Sequence, residues 1–378
     1  MSPRFSSWVA ALVLALSSGA CGGSSGGSKP EASPTPAEVS PLAVRRMVGA
    51  YWYPHWGDPT NAAPRLAWSQ AVLTPVLGQY DANDSKVVDQ HIKMAVEHGV
   101  TLLVVSLYET RIQGLLGSRF LPFVKFTFSV NLEDYGGFRD PHNLPAVLDW
   151  MRGLGFTRPS YFRVEGKPVF VVGDVNLLTE QIPVEELGAA FDAGRSYYRA
   201  RYGEDLFIVG QWNPGSMSKD SRNVPIVTTT DVTLASHLDA ATPYSFPDAG
   251  GQWHLVASGG NELVAPYDDM AALFPEANDR FASAMHGRGV RFIPTATPGE
   301  SNTLLYRNGL DGWLIIRTGA TPAKFGGLLD SLRGCMDPDL NLLLVEAWNE
   351  FSEGSVVEPT VEFGYQHLDE IARFAAQP

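Results

Sequence analysis

Leu342-Leu343-Leu344-Val345 runs without a break into Glu346-Ala347-Trp348-Asn349-Glu350-Phe351-Ser352-Glu353-Gly354. An aliphatic run of this length, closed by polar residues, has the composition of a strand buried on both faces. Two carboxylates, Glu350 and Glu353, stand where that strand ends. Desolvating a carboxylate is costly unless it is paired or hydrogen-bonded, so acids at the mouth of a buried sheet imply acid/base chemistry. Cleavage of a glycosidic bond, which uses two carboxyl groups, is the leading candidate.

Working outward from this stretch, apolar strand-like runs alternate with helical ones through most of the chain. Strands are expected over residues 48–53, 101–107, 124–130, 168–173, 206–211, 232–236, 291–296 and 341–347. Helices are expected over 85–98, 144–152, 184–201, 267–286, 322–332 and 365–376. The first helix shows the signals well: Asp84 as N-cap, apolar Val88, Ile92 and Val96 on one face, and Gly99 as the stop. Strands rich in Val, Leu and Ile and separated by helices imply parallel pairing with right-handed crossovers. Eight such units predict an α/β fold of the (β/α)8 TIM-barrel type. Residues 112–121, with two Gly, make a poor crossover helix, and 213–230 read as loop. A doubly wound open sheet is the alternative, although no G-x-G-x-x-G turn follows the first strand.

Composition agrees with a single globular body. Of 378 residues, 44% are hydrophobic and 18% charged, as in a foldable domain rather than a disordered chain. The net charge of -13 has no basic stripe to offset it, which argues against a nucleic-acid partner. The first 20 residues read as an export signal: Arg4 is the positive region and the apolar core is too short to span a membrane. Ser18-Gly19-Ala20-Cys21 resembles a bacterial lipoprotein acylation site, with Ser18 where Leu is usual, so ordinary secretion is the other option. Residues 21–45 are rich in Gly, Ser and Pro and read as a tether, which leaves 46–378 as the catalytic body. If Cys21 is acylated, the protein is a cell-envelope lipoprotein attached to the membrane through that lipid; otherwise it is periplasmic or secreted. Cys335, the other cysteine, then has no disulfide partner and reads as an inert thiol.

In a parallel barrel the active site is built at the C-terminal ends of the strands. Applied strand by strand, that rule brings Tyr51, Tyr53, His55 and Trp56 from the first and Tyr108 from the second. The fourth supplies Asp174, the fifth Trp212 and Asn213, and the sixth His237, Asp239 and, a little later, Tyr244. The seventh delivers Thr297-Pro298-Gly299-Glu300-Ser301-Asn302, and the eighth the paired acids. Rings, amides and carboxylates thus converge on one rim.

Trp348-Asn349-Glu350-Phe351-Ser352-Glu353-Gly354 with Val357-Glu358-Pro359 resembles the W-N-E-W-x-E-G…E-P signature of glycoside hydrolase family 99 and the related bacterial WbsX-like proteins. Gly49-Ala50-Tyr51-Trp52-Tyr53-Pro54 is similar to the family's first-strand G-x-Y-Y-P, and Thr297-Pro298-Gly299 with Asn302-Thr303 to its P-G-x-x-(D/N)-T loop. Phe351 replaces the usual Trp, and Ser301 stands where an acid or amide is frequent. The resemblance implies a (β/α)8 barrel acting on α-mannosidic glycans inside the chain, with retention and without metal or cofactor. It also implies roles. The residue matching Glu350 takes a proton from the sugar 2-hydroxyl, which attacks the anomeric carbon to give an epoxide-like intermediate. The residue matching Glu353 protonates the leaving oxygen and then activates water. Chemistry concurs in outline, since neighbouring carboxyls push their pKa values apart and so supply one acid and one base.

Each residue also has a plainer reading. Glu350 and Glu353 could be a solvated or helix-capping pair, and Tyr51, Tyr53 and Trp56 could all be core. Glu346 either supports Glu350 or pairs with a buried Arg. Sugar contact is expected of Tyr51, Tyr53, Trp56, Tyr108, Asp174, Trp212, Tyr244, Asn302, Trp348, Asn349 and Glu358. His55 has no H-x-x-x-H or H-E-x-x-H companion, so no metal site is expected, and Asp81 to Asp84 fit a helix cap better than a calcium loop. Two other functions share these features: a polysaccharide-processing glycosyltransferase, which an export signal disfavours because nucleotide sugars are cytoplasmic, and a glycan-binding lipoprotein without catalysis.

Overall fold

The computed structural model describes residues 39–57, 67–107, 111–132, 138–255 and 260–377. Eight parallel strands form the barrel: β1 (Met47–Trp52), β2 (Val100–Ser106), β3 (Lys125–Asn131), β4 (Lys167–Gly173), β5 (Phe207–Trp212), β6 (Ala240–Pro243), β7 and β8 (Leu342–Val345). Neighbours in sequence are neighbours in space from β1 to β6, and β1 also pairs with β8 through Met47↔Leu342 to Ala50↔Val345. β7 closes the ring in two pieces. Arg291–Phe292 pairs with Ala240 and Ala241 of β6, and Thr295–Ala296 pairs with Leu344 and Val345 of β8. Pro294 lies between the pieces, has no N–H to give to a ladder, and accepts from Leu344 N through its carbonyl (2.9 Å). Closure leaves the barrel no open edge.

Side-chain alternation along the strands builds two cores. Leu102, Val104, Val169, Val171, Phe207, Val209, Leu342 and Leu344 fill the barrel, whereas Leu103, Val105, Phe126, Phe128, Phe170, Val172, Leu343 and Val345 pack outward against the helices. Gly49 lets β1 pass closely between β2 and β8: a Cβ there would lie 2.7 Å from a methyl of Leu344 and force that side chain to shift.

The predicted helices over 85–98, 144–152, 184–201, 267–286, 322–332 and 365–376 correspond to Ser85–Glu97, Leu144–Met151, Val184–Tyr202, Tyr267–His286, Pro322–Ser331 and Gln366–Ala376. Asp84 caps the first, accepting from Lys86 N at 2.9 Å. The strand expected over 232–236 is corrected: these residues fall at the end of the helix Thr229–Ala235, and the sixth strand starts at Ala240. A capping box decides this, with Thr228 and Asp231 each accepting from the other's backbone N–H. A short apolar run such as Val232 to Ala235 has no periodicity of its own that separates helix from strand. Residues 112–121 hold a five-residue helix, Gln113–Gly117.

A second sheet, not among the predicted strands, is made by His254–Leu255, Asn261–Pro266 and Trp313–Thr318. The packed body begins earlier than residue 46: Val39 is buried, and Leu42 N donates to Val96 O (2.8 Å). The rest of the expected tether, the signal segment and Cys21 lie outside the described residues. No helix among the described residues is long and apolar enough to cross a membrane.

Candidate active site

The chain leaving β8 turns back at once into a small antiparallel pair, Asn349–Glu350 with Ser355–Val356. The peptide joining Glu346 to Ala347 is cis. Ala347 N donates to Ser355 O (2.8 Å), and Trp348 N donates to Tyr51 O at the end of β1 (2.6 Å). Gly354, at φ +66°, takes the left-handed turn that a residue with Cβ adopts only at a cost. Ser301 N, in the loop after β7, donates to Glu353 O (2.7 Å), and the Thr297 and Ser355 hydroxyls meet at 3.1 Å. Both acids therefore stand on a turn fastened to the first and seventh strands. Glu350 is buried, and its Oε1 accepts from Ser352 Oγ (2.5 Å) and Ser352 N (3.3 Å). Glu353 is half-buried.

Tyrosines face these acids. The Tyr53 and Tyr244 hydroxyls are hydrogen-bonded to each other, and the Tyr51 ring meets that of Tyr244 edge-on, with centroids 5.1 Å apart. Burial first, then the Glu350 carboxylate, raises Tyr53 well above the ordinary phenol pKa. Burial likewise raises Tyr244, with Tyr53 and then Glu346, Glu353 and Glu350 adding to it. Both phenols stay neutral at physiological pH.

Two further carboxyls join the group. Glu346, 2% exposed, is pushed up to about 8, mainly by burial and further by Glu353 and Glu350, while the Ser245 and Tyr244 hydroxyls draw it back. Glu300, 5% exposed, is raised well above the usual carboxylate range by burial, then by Glu353, Glu346 and Glu350, with Arg317 opposing. Glu346, Glu350 and Glu353 share the chain segment leaving β8, and Ser301 N ties the loop that carries Glu300 to Glu353 O (2.7 Å), so the four acids are grouped at one end of the barrel.

A buried relay braces the tyrosine side. Asn349 Oδ1 accepts from Tyr53 N (2.9 Å) and Asn349 Nδ2 donates to Tyr53 O (3.0 Å), so one amide clamps the end of β1. Beyond it, Tyr80 OH donates to Glu358 Oε2 (2.6 Å), and Trp52 Nε1 donates to His91 Nδ1 (3.2 Å). Because the indole only donates, His91 carries its proton on Nε2, which lies 3.4 Å from Glu358 Oε1.

The expected sugar contacts divide accordingly. Tyr51, Tyr53 and Tyr244 lie together, Tyr53 and Tyr244 joined through their hydroxyls and Tyr51 almost wholly buried in the barrel core. Asp174, at the end of β4, accepts from Asn131 Nδ2 (3.3 Å), is raised by burial and influences Tyr51. Six expectations are corrected because the side chains are used inside the protein. Trp56 is fully buried against Trp68 and Phe351. Trp212 is buried and donates to Asp231 Oδ1 (2.9 Å). Trp348 lies in the core beside His91. Asn302 ties its loop to the second sheet through Asp311, Trp313 O and Ile315 N. Asn349 and Glu358 serve the relay. Tyr108 lies outside the described residues. Glu300 falls on the predicted rim, where the sequence implies no role for it. Its position after Pro298-Gly299, at the end of a predicted strand, was the available signal. No group of His, Cys, Asp and Glu able to hold a metal occurs among the described residues.

Fold and site together define a (β/α)8 barrel with a carboxylate-rich, tyrosine-lined mouth. The chain belongs to the WbsX family, whose model, described as Glycosyltransferase WbsX, matches residues 146–371. Among solved structures it is similar to the GH99 endo-alpha-mannosidase of Bacteroides thetaiotaomicron, in complex with bis-tris-propane. Identity is 17%, covering 87% of this chain and 95% of that one, with a TM-score of 0.59. A glycoside hydrolase-like protein is similar at 16% identity, 92% and 98% coverage and the same TM-score of 0.59. These likenesses establish the barrel fold. No curated protein matches in sequence.

Proposed function

We propose that the protein is an exported glycoside hydrolase that cleaves α-linked glycans, of mannan type, within the chain. The observation that carries this reading is the turn leaving β8, which bears Glu350 and Glu353 and is tied through Asn349 to Tyr53 and so to the Tyr53–Tyr244 hydroxyl pair. Glu350, held by Ser352, takes the proton of the sugar 2-hydroxyl as that oxygen bonds to the anomeric carbon. The bond to the leaving oxygen breaks as Glu353 gives that oxygen its proton. Water then attacks the anomeric carbon and reopens the three-membered ring; Glu353 accepts the water proton and Glu350 returns one to the 2-oxygen. The neutral tyrosine pair supplies hydrogen bonds to the sugar without adding charge. Similarity to a GH99 endo-alpha-mannosidase supports the reaction class.

The test is digestion of a panel of α-linked polysaccharides. Glu350→Gln and Glu353→Gln should each lower turnover by about a hundredfold or more, the scale of a lost general acid or base, while binding persists. Full activity in both variants refutes the assignment. The family's description favours a second reading, glycosyl transfer. Transfer from a nucleotide sugar to a glycan acceptor, with no hydrolysis of any panel member, would establish it instead.

A further inference from the structure

The wall opposite the acids is polar as well. In a closed ring of eight, β4 lies four strands from β8, so its C-terminal end stands across the mouth from the turn that carries Glu350 and Glu353. Side-chain alternation sends Asn131 on β3, Gly173 on β4 and Gln211 on β5 towards the barrel axis, in step with Val169, Val171, Phe207 and Val209 below them. They are neighbours. Asn131 pairs with Gly173, and Val172 pairs with Gly210, which puts Gln211 on the other side of Gly173. A Cβ on Gly173 would lie 2.1 Å from Asn131 Oδ1, so the Asn131 amide occupies the space that a side chain would take.

Asp174 comes next in the chain, and alternation alone would turn it outward. Its backbone does not continue the strand. At φ +50° and ψ +37° it is left-handed, an uncommon conformation for a residue with a Cβ and one that collects at functional sites. An Asp in front of a helix ordinarily accepts from the first N–H groups of that helix. Asp174 makes no such bond to the helix Val175–Leu178. Its Oδ2 instead accepts from Asn131 Nδ2 at 3.3 Å, over Gly173. The side chain is therefore turned into the mouth, where it is only half-buried. Gln211 is 7% exposed; its amide has no hydrogen-bond partner among the described residues, yet it is not sealed from solvent. Thr242, next in the row, is by contrast committed, with its hydroxyl 3.0 Å from that of Thr295.

The chemistry of these groups selects their ligand. An ionised carboxylate only accepts, whereas a primary amide both donates and accepts. A sugar hydroxyl complements the two: it donates to the carboxylate and accepts from the amide, and bonds to a charged acceptor are the stronger kind. We infer that Asp174, held by Asn131 over Gly173, forms with Gln211 a hydroxyl-binding site that holds a neutral sugar ring against the acid turn. This deepens the hydrolase reading and rests on it for the class of ligand, but binding is measured apart from turnover.

Affinity electrophoresis of the full chain, through gels containing α-mannan, α-glucan or the same polymers methylated on their hydroxyls, tests the site. Wild type should be retarded by at least one parent polymer and far less by its methylated form. Asp174→Asn keeps the shape and removes the charge, and should need about tenfold more polymer for the same retardation, the scale of a hydrogen bond to a charged group. Gln211→Ala removes a neutral partner and should need about fivefold more. Circular dichroism checks folding, and Gln211→Ala carries the test should Asp174→Asn not fold. Folded variants retarded as strongly as wild type, or a methylated polymer that binds as well as its parent, overturn the site. Weakened binding in the variants with no cleavage of any polymer by wild type sinks the hydrolase reading and leaves the site standing. No retardation of wild type by any polymer refutes both.

Discussion

Replacing Asn349 by Ala tests whether the end of β8 positions the tyrosine wall. The amide makes two bonds of opposite polarity to a single residue, accepting from Tyr53 N at 2.9 Å and donating to Tyr53 O at 3.0 Å. Alanine leaves that N–H and that carbonyl without partners. A stranded buried group costs about 1–3 kcal/mol, and Tyr53 is half-buried, so water recovers part of the loss. The expected destabilisation is about 2–4 kcal/mol, read as a shift of the denaturant midpoint at constant slope. Asn349→Asp should be no better, because its second oxygen would face the Tyr53 carbonyl. Activity should suffer as well. Once unclamped, Tyr53 can move its hydroxyl away from Tyr244, and misplacement by an ångström near reacting groups costs up to about a hundredfold. An alanine variant within about 0.5 kcal/mol of wild type and with unchanged kcat, by the scale on which surface substitutions fall, would refute the clamp.

Three other expectations concern charge and address. Glu346 has its folded pKa raised from an ordinary value near 4.5 to about 8, so its contribution to stability is fully present below about 4.5 and is lost as pH rises through 8. Glu346→Gln should flatten that alkaline decline in unfolding titrations, and an identical decline in the variant would exclude Glu346 as its source. His55 behaves oppositely: burial lowers it from 6.5 to about 3, so stability is lost as pH falls through that interval, and a folded His55→Gln variant should tolerate pH 4 better than wild type. Cys21→Ser should move the protein from the membrane fraction to the soluble one in a bacterial host that acylates lipoproteins; unchanged partitioning rules out a lipid at Cys21.

What the sequence disclosed depended on how local each cause was. The ends of β1, β7 and β8 could be read because an aliphatic run, its length and the polar residues that follow are contiguous in the chain. Tyr53, Glu350 and Glu353 were therefore placed at the strand ends from sequence. The position of β6 was missed because a four-residue capping box, Thr228 to Asp231, outweighs the apolar run behind it. The tryptophans failed for a different reason. Trp56, Trp212 and Trp348 stand at strand ends as expected, but whether a ring faces the hollow or the helices depends on Trp68, Asp231 and His91, which lie elsewhere in sequence.

Glu300 marks the boundary between these cases. Its neighbours Pro298 and Gly299 announce a turn at the mouth, yet the group that opposes its charge, Arg317, arrives on the second sheet. That sheet is also what binds Asn302, so the amide expected to hold a sugar instead holds the loop that carries Glu300. The placement of Glu300 therefore depends on the bonds of Asn302 with Trp313 O and Ile315 N, which join segments more than ten residues apart and leave no local signal beside the acid itself.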